Sequence, residues 1–280
     1  MSMQLTDPIA TSEHASSSTP PAPTQRVLLC GWRFVVWPML ALVSMFLLLD
    51  LTGLDLTIAH YWYQLEGGQW ALKENFWTSS VFHSGARTLN QLVIGALLLL
   101  WLSRAIRYRF GQRAEPAAQF SQRMLGLLVL SLLLSVGLIS LLKKLIPMDC
   151  PWDLQLFGGI QPLISLWQDR PAGMPNTQCF PAGHASSGYA WIALYFYFLY
   201  TRPWLRKVGL AFGIVAGASL GLVQQLRGAH FFSHDIVTAL ICYVVPAFIF
   251  ARFQFKTAAP TIRYEQTPSA ATAHKELPHA

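Results

Sequence analysis

Six long apolar segments alternate with short polar segments along the 280-residue chain. A helix needs about 20 mainly apolar residues to cross the hydrocarbon core of a bilayer. The pattern therefore predicts an all-α fold, an integral membrane bundle of about six transmembrane helices. The predicted spans lie at approximately 34–54, 89–102, 125–142, 185–200, 208–226 and 236–250. The second and fourth spans are short and are expected to extend into their flanks.

The composition supports the membrane prediction. Hydrophobic residues make up 53% of the chain and charged residues only 12%, whereas an average soluble domain carries roughly 25% charged residues. The 10 Trp, 9 Tyr and 17 Phe are typical of a protein with aromatic belts at two membrane interfaces. The net charge of +7 does not indicate a nucleic-acid partner, because the basic residues lie in short segments between the apolar ones.

The two ends of the chain differ in composition from its middle. Residues 1–30 are polar and rich in Ser, Thr and Pro, which predicts a disordered N-terminal tail without a cleavable signal peptide. Residues 255–280 are predicted to form a disordered C-terminal tail for the same reason. The six-helix membrane domain is then expected over residues 31–254.

The lysine and arginine residues are distributed unevenly between the two sides of the predicted bundle. Fourteen of the 20 fall in the tails and in the loops after the second and fourth spans, and six fall in the other loops. Cytoplasmic loops carry the excess of Lys and Arg. Both termini are therefore predicted to be cytoplasmic. The protein is expected in the inner membrane of a cell, with the loops at 55–87, 143–184 and 227–235 facing the periplasm.

Ionisable residues collect at three predicted helix ends on the periplasmic side. Charged groups at membrane depth are costly and are functional candidates by default. The three clusters are Lys143 and Lys144 with Cys150 and Pro151, then Pro181, Ala182, Gly183 and His184, then Arg227, His230, His234 and Asp235. Because the clusters are far apart in sequence and share one side of the bundle, they are predicted to form one site.

The second cluster has the features of a phosphate-binding helix start. Pro181 suits the first turn of a helix, where a backbone N–H is not needed. Ala182, Gly183 and His184 would then present backbone N–H groups at the helix N-terminus, which binds phosphate through its donors and its dipole. Ser187, one turn after His184, is a further candidate donor. Lysine and arginine from the other clusters would add positive charge around the same anion.

Taken together, the motifs resemble those of the type 2 phosphatidic acid phosphatase family of membrane phosphatases. That family shows K-x6-R-P, then P-S-G-H, then S-R-x5-H-x3-D on a six-helix core. The matching residues are Lys143 in the first motif, Pro181, Gly183 and His184 in the second, and His230 in the third. The resemblance covers roughly residues 89–250 and agrees in order, spacing and topology.

The chain also departs from the family at several motif positions. The departures are Cys150 for the first arginine, Ala182 for the first serine, Val223 and Gln224 for the second serine and arginine, and His234 for the aspartate. Each of them removes a donor or a carboxylate that the resemblance would otherwise assign to the site. The backbone N–H groups of the second motif do not depend on the serine.

Nearby residues are candidates to replace two of the missing groups. Arg227 lies three residues after Gln224, on the same face if the helix continues, and would supply a guanidinium. The group that orients His230 is either His234, through an imidazole, or Asp235, if the turn is not regular helix. The sequence leaves these two alternatives open.

The resemblance implies a mechanism in two chemical steps. His230 attacks phosphorus and forms a phosphohistidine, while His184 protonates the leaving oxygen and later activates water. Basic residues and backbone amides stabilise the phosphoryl oxygens. The candidate phosphate-binding residues are Lys143, Lys144, Ala182, Gly183, Arg227 and Ser187. The implied mechanism requires no metal and no other cofactor.

Two of the four cysteines lie in the same predicted periplasmic loop. An oxidising compartment permits a disulfide between Cys150 and Cys179, which would tie the first motif to the second. A zinc site on these cysteines is less favoured, because histidine ligands at the usual spacing are lacking. His60 and His83 are predicted to be loop residues rather than ligands.

The function expected from these features is hydrolysis of a lipid phosphate or diphosphate at the periplasmic face of the membrane. Candidate substrates are polyprenyl diphosphate, phosphatidate, phosphatidylglycerol phosphate and the phosphates of a lipid A-type glycolipid. Two alternatives stay open: a lipid-to-lipid phosphotransferase, and a non-catalytic lipid-binding or transport protein on the same scaffold. The expected partners are a lipid phosphate and membrane lipids, with no nucleic acid.

Overall fold

The structure, a computed structural model, describes residues 31–111, 115–175 and 177–257. Within these ranges the chain forms helices and no strand. The α-helices are α1 (Gly31–Thr52), α2 (Leu54–Leu65), α3 (Ala86–Phe110), α4 (Pro116–Leu145), α5 (Ser186–Tyr189), α6 (Ala193–Thr201), α7 (Arg206–Leu226) and α8 (Phe232–Thr257). A π-helix (Trp77–Gly85) leads into α3, and 3₁₀ turns lie at Pro151–Asp153, Gln155–Phe157, Ala190–Ile192 and Pro203–Leu205. The all-α prediction is confirmed.

Five helical segments of the described chain are long and apolar enough to cross a membrane. They are Val35–Thr52, Trp77–Phe110, Pro116–Leu145, Pro203–Leu226 and Phe232–Arg252. The predicted span at 185–200 corresponds to α5, a 3₁₀ turn and α6, which follow one another over residues 186–201. The observed count is roughly consistent with the predicted bundle of about six. The second span is longer than predicted, because the π-helix continues it beyond the start of α3.

Helix α8 lies at the centre of the bundle. It packs against α1, α4, α6 and α7, and its core residues include Cys242, Ala247 and Phe250. The outer face of α3, in contrast, carries exposed leucines such as Leu92 and Leu99. Large apolar side chains that stay exposed along a helix are expected where the surrounding solvent is lipid.

A stripe of glycines in α7 allows the 186–201 segment to pack closely against it. The stripe consists of Gly209, Gly213, Gly217 and Gly221. Residues four apart share one face of a helix, and small residues at this spacing let membrane helices approach each other. A Cβ atom at Gly217 would collide with the Tyr189 ring, and one at Gly221 would collide with the Asp235 carboxylate. The stripe therefore also brings the start of α8 against the last turns of α7.

Two sets of polar contacts hold the outer ends of the helices. Arg170 donates two hydrogen bonds to the Asp149 carboxylate, at 2.8 and 2.9 Å, within the long loop between α4 and α5. The Asp55 carboxylate in α2 accepts a hydrogen bond from the Ser233 N–H at 3.0 Å. This second contact satisfies one of the free N–H groups at the start of α8. Both the long loop and the start of α8 are thus fixed at the same end of the bundle.

The predicted tails fall mainly on residues about which the structure says nothing. The N-terminal tail predicted at 1–30 lies outside the described residues. Of the C-terminal tail predicted at 255–280, residues 255–257 continue α8 and the others lie outside the described residues. Helix α8 therefore extends past the predicted domain boundary at residue 254.

Candidate functional site

Three helix ends meet on one side of the bundle. Lys143 lies in the last turn of α4, Gly183 and His184 lie in the turn before α5, and His230 lies in the link between α7 and α8. The Lys143 side chain lies against Gly183, since a Cβ atom placed on Gly183 would be 3.3 Å from the Lys143 Nζ atom. Lys143 and His184 are also close enough to His230 for their charges to affect its pKa. The structure thus brings the three predicted clusters together.

The segment before α5 differs from the predicted helix start. Pro181 precedes the helix instead of occupying its first turn, because α5 begins only at Ser186. The Ala182 N–H donates to the His234 carbonyl at 3.4 Å, and the Ala182 carbonyl accepts from the Thr238 hydroxyl at 3.1 Å. These bonds hold the segment against α8. The Ala182 N–H, predicted to bind phosphate, is therefore already used within the protein.

His230 and His234 form a buried pair at the start of α8. Their Nδ1 atoms are 3.4 Å apart, which is hydrogen-bond distance when one of the two carries a proton. The Cys179 backbone lies beside both rings. The Asp235 carboxylate instead accepts a hydrogen bond from the Gln225 amide at 2.6 Å. Of the two residues predicted to orient His230, the structure places His234 beside it and directs Asp235 elsewhere.

The surroundings of His230 favour its neutral form. Burial lowers the pKa of His230 well below the ordinary value of 6.5. The positive charge of Lys143 and the neighbouring His234 and His184 rings act in the same direction. A neutral imidazole keeps a lone pair on one ring nitrogen, and a nucleophile needs that lone pair.

His184 is also neutral in the free protein. Burial, the neighbouring His83 ring and the positive charges of Lys143, Arg87 and Arg227 together lower the pKa of His184 to about 3. Among the residues that the structure describes, none forms a hydrogen bond with the buried Nε2 atom of His184. A buried polar atom without a partner is costly, and a bound ligand is one group that would satisfy it.

Arg227 lies in the site, but its guanidinium is bound to the protein. The Nε and Nη2 atoms donate to the Lys73 carbonyl at 3.0 and 2.8 Å. The Nη1 atom donates to the Gln224 side-chain oxygen at 3.1 Å and to Nδ1 of His83 at 2.9 Å. The predicted replacement for the missing arginine is thus present. Its guanidinium, however, donates to the Lys73 carbonyl, the Gln224 side chain and His83.

His83 belongs to the site, so the prediction of a loop residue is wrong. It lies in the π-helix, and its ring stacks on the His184 ring with centroids 3.5 Å apart. A pattern in the sequence indicates this position: His83, Arg87 and Asn90 are spaced four and three residues apart, so they share one helix face. Asn90 accepts a hydrogen bond from the Trp191 indole at 2.9 Å, which shows that this face points into the protein.

Lys144 and Ser187 are less directly involved than their neighbours. Lys144 is exposed, whereas Lys143 is partly buried and lies over Gly183. Ser187 is partly buried, and its N–H donates to the His184 carbonyl at 3.0 Å. The geometry therefore assigns the cationic contact at Gly183 to Lys143, and Ser187 supports the turn that carries His184.

A disulfide bond joins Cys150 to Cys179, whose Cα atoms are 5.3 Å apart. It connects the segment after the first motif with the segment that leads into the second. Because the Cys179 backbone lies beside the His230 and His234 rings, the bond also supports this pair. Among the described residues, Asp153 and these two cysteines form a group with metal-ligand spacing. Sulfur atoms in a disulfide are not thiolates, so they do not serve as metal ligands.

Removal of the disulfide is expected to destabilise the protein. A crosslink between residues 29 apart contributes roughly 3–4 kcal/mol by the chain-entropy relation. We expect the Cys150→Ser/Cys179→Ser double variant to unfold at a lower temperature than the wild type. A reductant should shift the wild type in the same direction and leave the double variant unchanged. Thermal unfolding in detergent checks this, and equal Tm values for the two proteins would contradict it.

Comparison with known proteins gives one match. The family model described as PAP2 superfamily matches residues 124–258, which include most of α4 and all of α5 to α8. No curated protein and no solved structure matches the chain. The match supports the predicted type 2 phosphatidic acid phosphatase-like family and, with the apolar helices, a membrane-bound phosphatase acting on phosphate esters. The π-helix and α1 to α3 precede the matched segment.

Proposed function

Since residues 124–258 form a PAP2 superfamily domain, we propose that the protein hydrolyses a lipid phosphate or diphosphate through a phosphohistidine on His230. One observation carries the proposal: His230 is a buried imidazole whose Nδ1 atom faces a second imidazole, that of His234, at 3.4 Å. Lys143 and His184 complete its surroundings. Phosphoryl transfer through a covalent intermediate needs an oriented nucleophile, a cation that stabilises the phosphoryl oxygens and a general acid, and these three residues are suited to those roles.

The contact with His234 defines the tautomer of His230 that is able to react. In the proposed arrangement, the His230 Nδ1–H donates to Nδ1 of His234, which leaves the lone pair of His230 on Nε2. Nε2 is then the nucleophile. His234 orients the ring as a carboxylate would, but it brings no negative charge.

The reaction proceeds in two steps. In the first, Nε2 of His230 attacks phosphorus, an N–P bond forms and the ester P–O bond breaks, while Nε2 of His184 gives a proton to the leaving oxygen. In the second, water gives a proton to His184 and attacks phosphorus, and the N–P bond breaks to release phosphate. The Lys143 ammonium, which lies against Gly183, stabilises the phosphoryl oxygens together with the Gly183 N–H.

The pKa of His184 predicts how activity depends on pH. Because its pKa is about 3, lowered by burial and by His83, Lys143, Arg87 and Arg227, His184 is neutral in the free enzyme at neutral pH and lacks the second ring proton that it gives to the leaving oxygen. The proton must then arrive with the substrate, as a phosphate monoanion whose second pKa is about 6. We expect kcat/KM for an alkyl phosphate to be constant below pH ~6 and to fall about tenfold per pH unit above it.

The pH–rate profile of kcat/KM checks this origin of the proton. Substrates whose phosphate groups differ in pKa should show correspondingly displaced inflections, because the titrating group belongs to the substrate. An inflection that stays at one pH for all substrates would contradict the prediction, since it would belong to the enzyme.

A lipid substrate is proposed from the surroundings of Lys143. Lys143 lies in the last turn of α4, a helix long and apolar enough to cross a membrane. A phosphate at Lys143 would therefore lie at the end of a membrane-spanning helix, at the level where the headgroup of a lipid meets its acyl or prenyl chain. The excess of Lys and Arg in the opposite loops supports a periplasmic position of this site, in the inner membrane of a cell.

Phosphate release from a panel of lipids tests the proposal. The panel consists of polyprenyl diphosphate, phosphatidate, phosphatidylglycerol phosphate and a lipid A-type phosphate in mixed micelles, with a water-soluble phosphate ester for comparison. We expect release from at least one lipid and slower release from the soluble ester. Phosphate found on an added acceptor lipid would indicate transfer instead of hydrolysis. No reaction with any lipid would contradict the proposed function.

A further inference from the structure

His83 touches two parts of the site at once. The face of its ring stacks on His184, with centroids 3.5 Å apart and an interplanar angle of 26°. Its Nδ1 atom lies 2.9 Å from the Nη1 atom of Arg227. His184 and Arg227 belong to the segment matched by the PAP2 superfamily, whereas His83 precedes it. A residue from outside that segment therefore forms part of its site.

The contact with Arg227 fixes the tautomer of His83. A guanidinium N–H only donates, so Nδ1 of His83 accepts, and the neutral ring carries its proton on Nε2. The Gln224 side-chain oxygen, 3.5 Å from the same Nδ1 atom, also accepts from Nη1 of Arg227. The guanidinium is itself held by the Lys73 carbonyl. The His83 ring is thus neutral and fixed in orientation.

The backbone that carries His83 is unusual as well. The nine residues Trp77–Gly85 form a π-helix. Such turns are rare and are frequently found at functional sites. Because a π-helix bonds residues five apart, its side chains are rotated relative to those of the α-helix that follows. His83, near the end of this π-helix, lies with its ring against the His184 ring.

We propose that His83 is a positioning residue that holds the His184 ring in the orientation from which its Nε2 atom reaches the leaving oxygen. The inference rests on the proposed function, because it takes His184 as the acid. Among the described residues, Nε2 of His184 has no hydrogen-bond partner, so no such bond at that atom orients the ring. The stack on His83 supplies a flat, rigid surface in its place. His83 acts through His184 and does not itself touch the reacting atoms.

If His83 acts through the general acid His184, its loss should affect substrates according to how much their leaving group needs a proton. An alkoxide leaving group needs the proton of His184, whereas a nitrophenolate leaves without one. General acid catalysis contributes about 10²–10⁴ in rate, and a displaced acid loses part of this factor. Loss of His83 should therefore slow the hydrolysis of alkyl phosphates selectively. General damage to the site would slow both kinds of substrate equally.

The test compares three variants of the full-length protein in detergent. The substrates are a long-chain alkyl phosphate and a nitrophenyl phosphate that carries the same chain. We expect His83→Ala and His83→Asn to lower kcat/KM for the alkyl phosphate by about 10–100-fold and for the aryl phosphate by less than about threefold. His83→Asn keeps an acceptor for Arg227 but loses the stack. His83→Phe keeps the stack and should recover most of the alkyl phosphate activity.

Several outcomes would overturn the role of His83. These are equal losses on both substrates in His83→Ala, no loss on either, or no recovery in His83→Phe. Retained turnover of the aryl phosphate shows that a variant is folded and that its nucleophile is in place. Wild-type activity in His230→Ala would overturn the proposed function, and this inference with it. The two failures are therefore distinguishable.

Discussion

Replacing His230 with alanine is expected to reduce phosphate release from a lipid phosphate by about 10⁴-fold or more. Removing the nucleophile of an enzyme with a covalent intermediate leaves only the rate due to binding and oxyanion contacts, and such losses reach about 10⁶-fold. His234 is fully buried and its Nδ1 atom faces His230, so we do not expect it to take over the attack. The measurement is kcat/KM for purified wild type and His230→Ala on the lipid that the wild type hydrolyses fastest.

His60 provides a matched control for this substitution. It is an exposed histidine on α2, with its ring 6.4 Å from the Phe157 ring and no contact with His230 in the part of the chain that the structure describes. We expect His60→Ala to keep wild-type activity. Equal rates for His230→Ala and His60→Ala would contradict the assignment of His230 as nucleophile.

Replacing His234 with alanine is expected to cost about 10⁴-fold in kcat, which is the loss seen when the orienting residue of a catalytic triad is changed. Without His234, the Nδ1 atom of His230 has lost the neighbour that holds its proton. The His230 ring is then free to adopt the tautomer with the proton on Nε2, and a protonated Nε2 has no lone pair with which to attack phosphorus. Steady-state kinetics on the same lipid, with thermal unfolding to verify the fold, measures the effect.

His234→Asp is the informative companion variant. The resemblance to the phosphatase family places an aspartate at this position, and a carboxylate accepts a hydrogen bond from Nδ1 of His230 as an imidazole does. We expect His234→Asp to recover most of the activity that His234→Ala loses. A larger loss in Asp235→Asn than in His234→Ala would contradict the orienting role of His234, since Asp235 contacts Gln225.

The membrane architecture could be predicted because apolar length is a local property of the sequence. Helices α4, α7 and α8 contain the predicted spans at 125–142, 208–226 and 236–250. The span at 185–200 differs most from the prediction, because there α5 and α6 are separated by a 3₁₀ turn. This interrupted helix packs closely against the glycine stripe of α7. A contact between two distant segments leaves no pattern in the sequence of either segment alone.

The part of the site whose residues belong to sequence motifs could be predicted. The order and spacing of Lys143, His184 and His230 indicate a shared site, and the structure brings them together. The acceptors of Arg227 could not be found in this way, because the Lys73 carbonyl is 154 residues distant in sequence. The place of His83 is only partly visible in the sequence. Its spacing from Arg87 and Asn90 indicates a shared helix face, but a π-helix has no sequence pattern of its own, and the stack on His184 joins residues 101 apart.

The phosphohistidine on His230 is open to direct detection. The wild-type protein is mixed with a lipid phosphate labelled on phosphorus, quenched in alkali within a single turnover and digested for mass spectrometry. We predict label on the peptide that contains His230, stable in alkali, lost in acid and absent from His230→Ala. Label on another residue, or full release of phosphate with no labelled protein at any quench time, would contradict a covalent mechanism at His230.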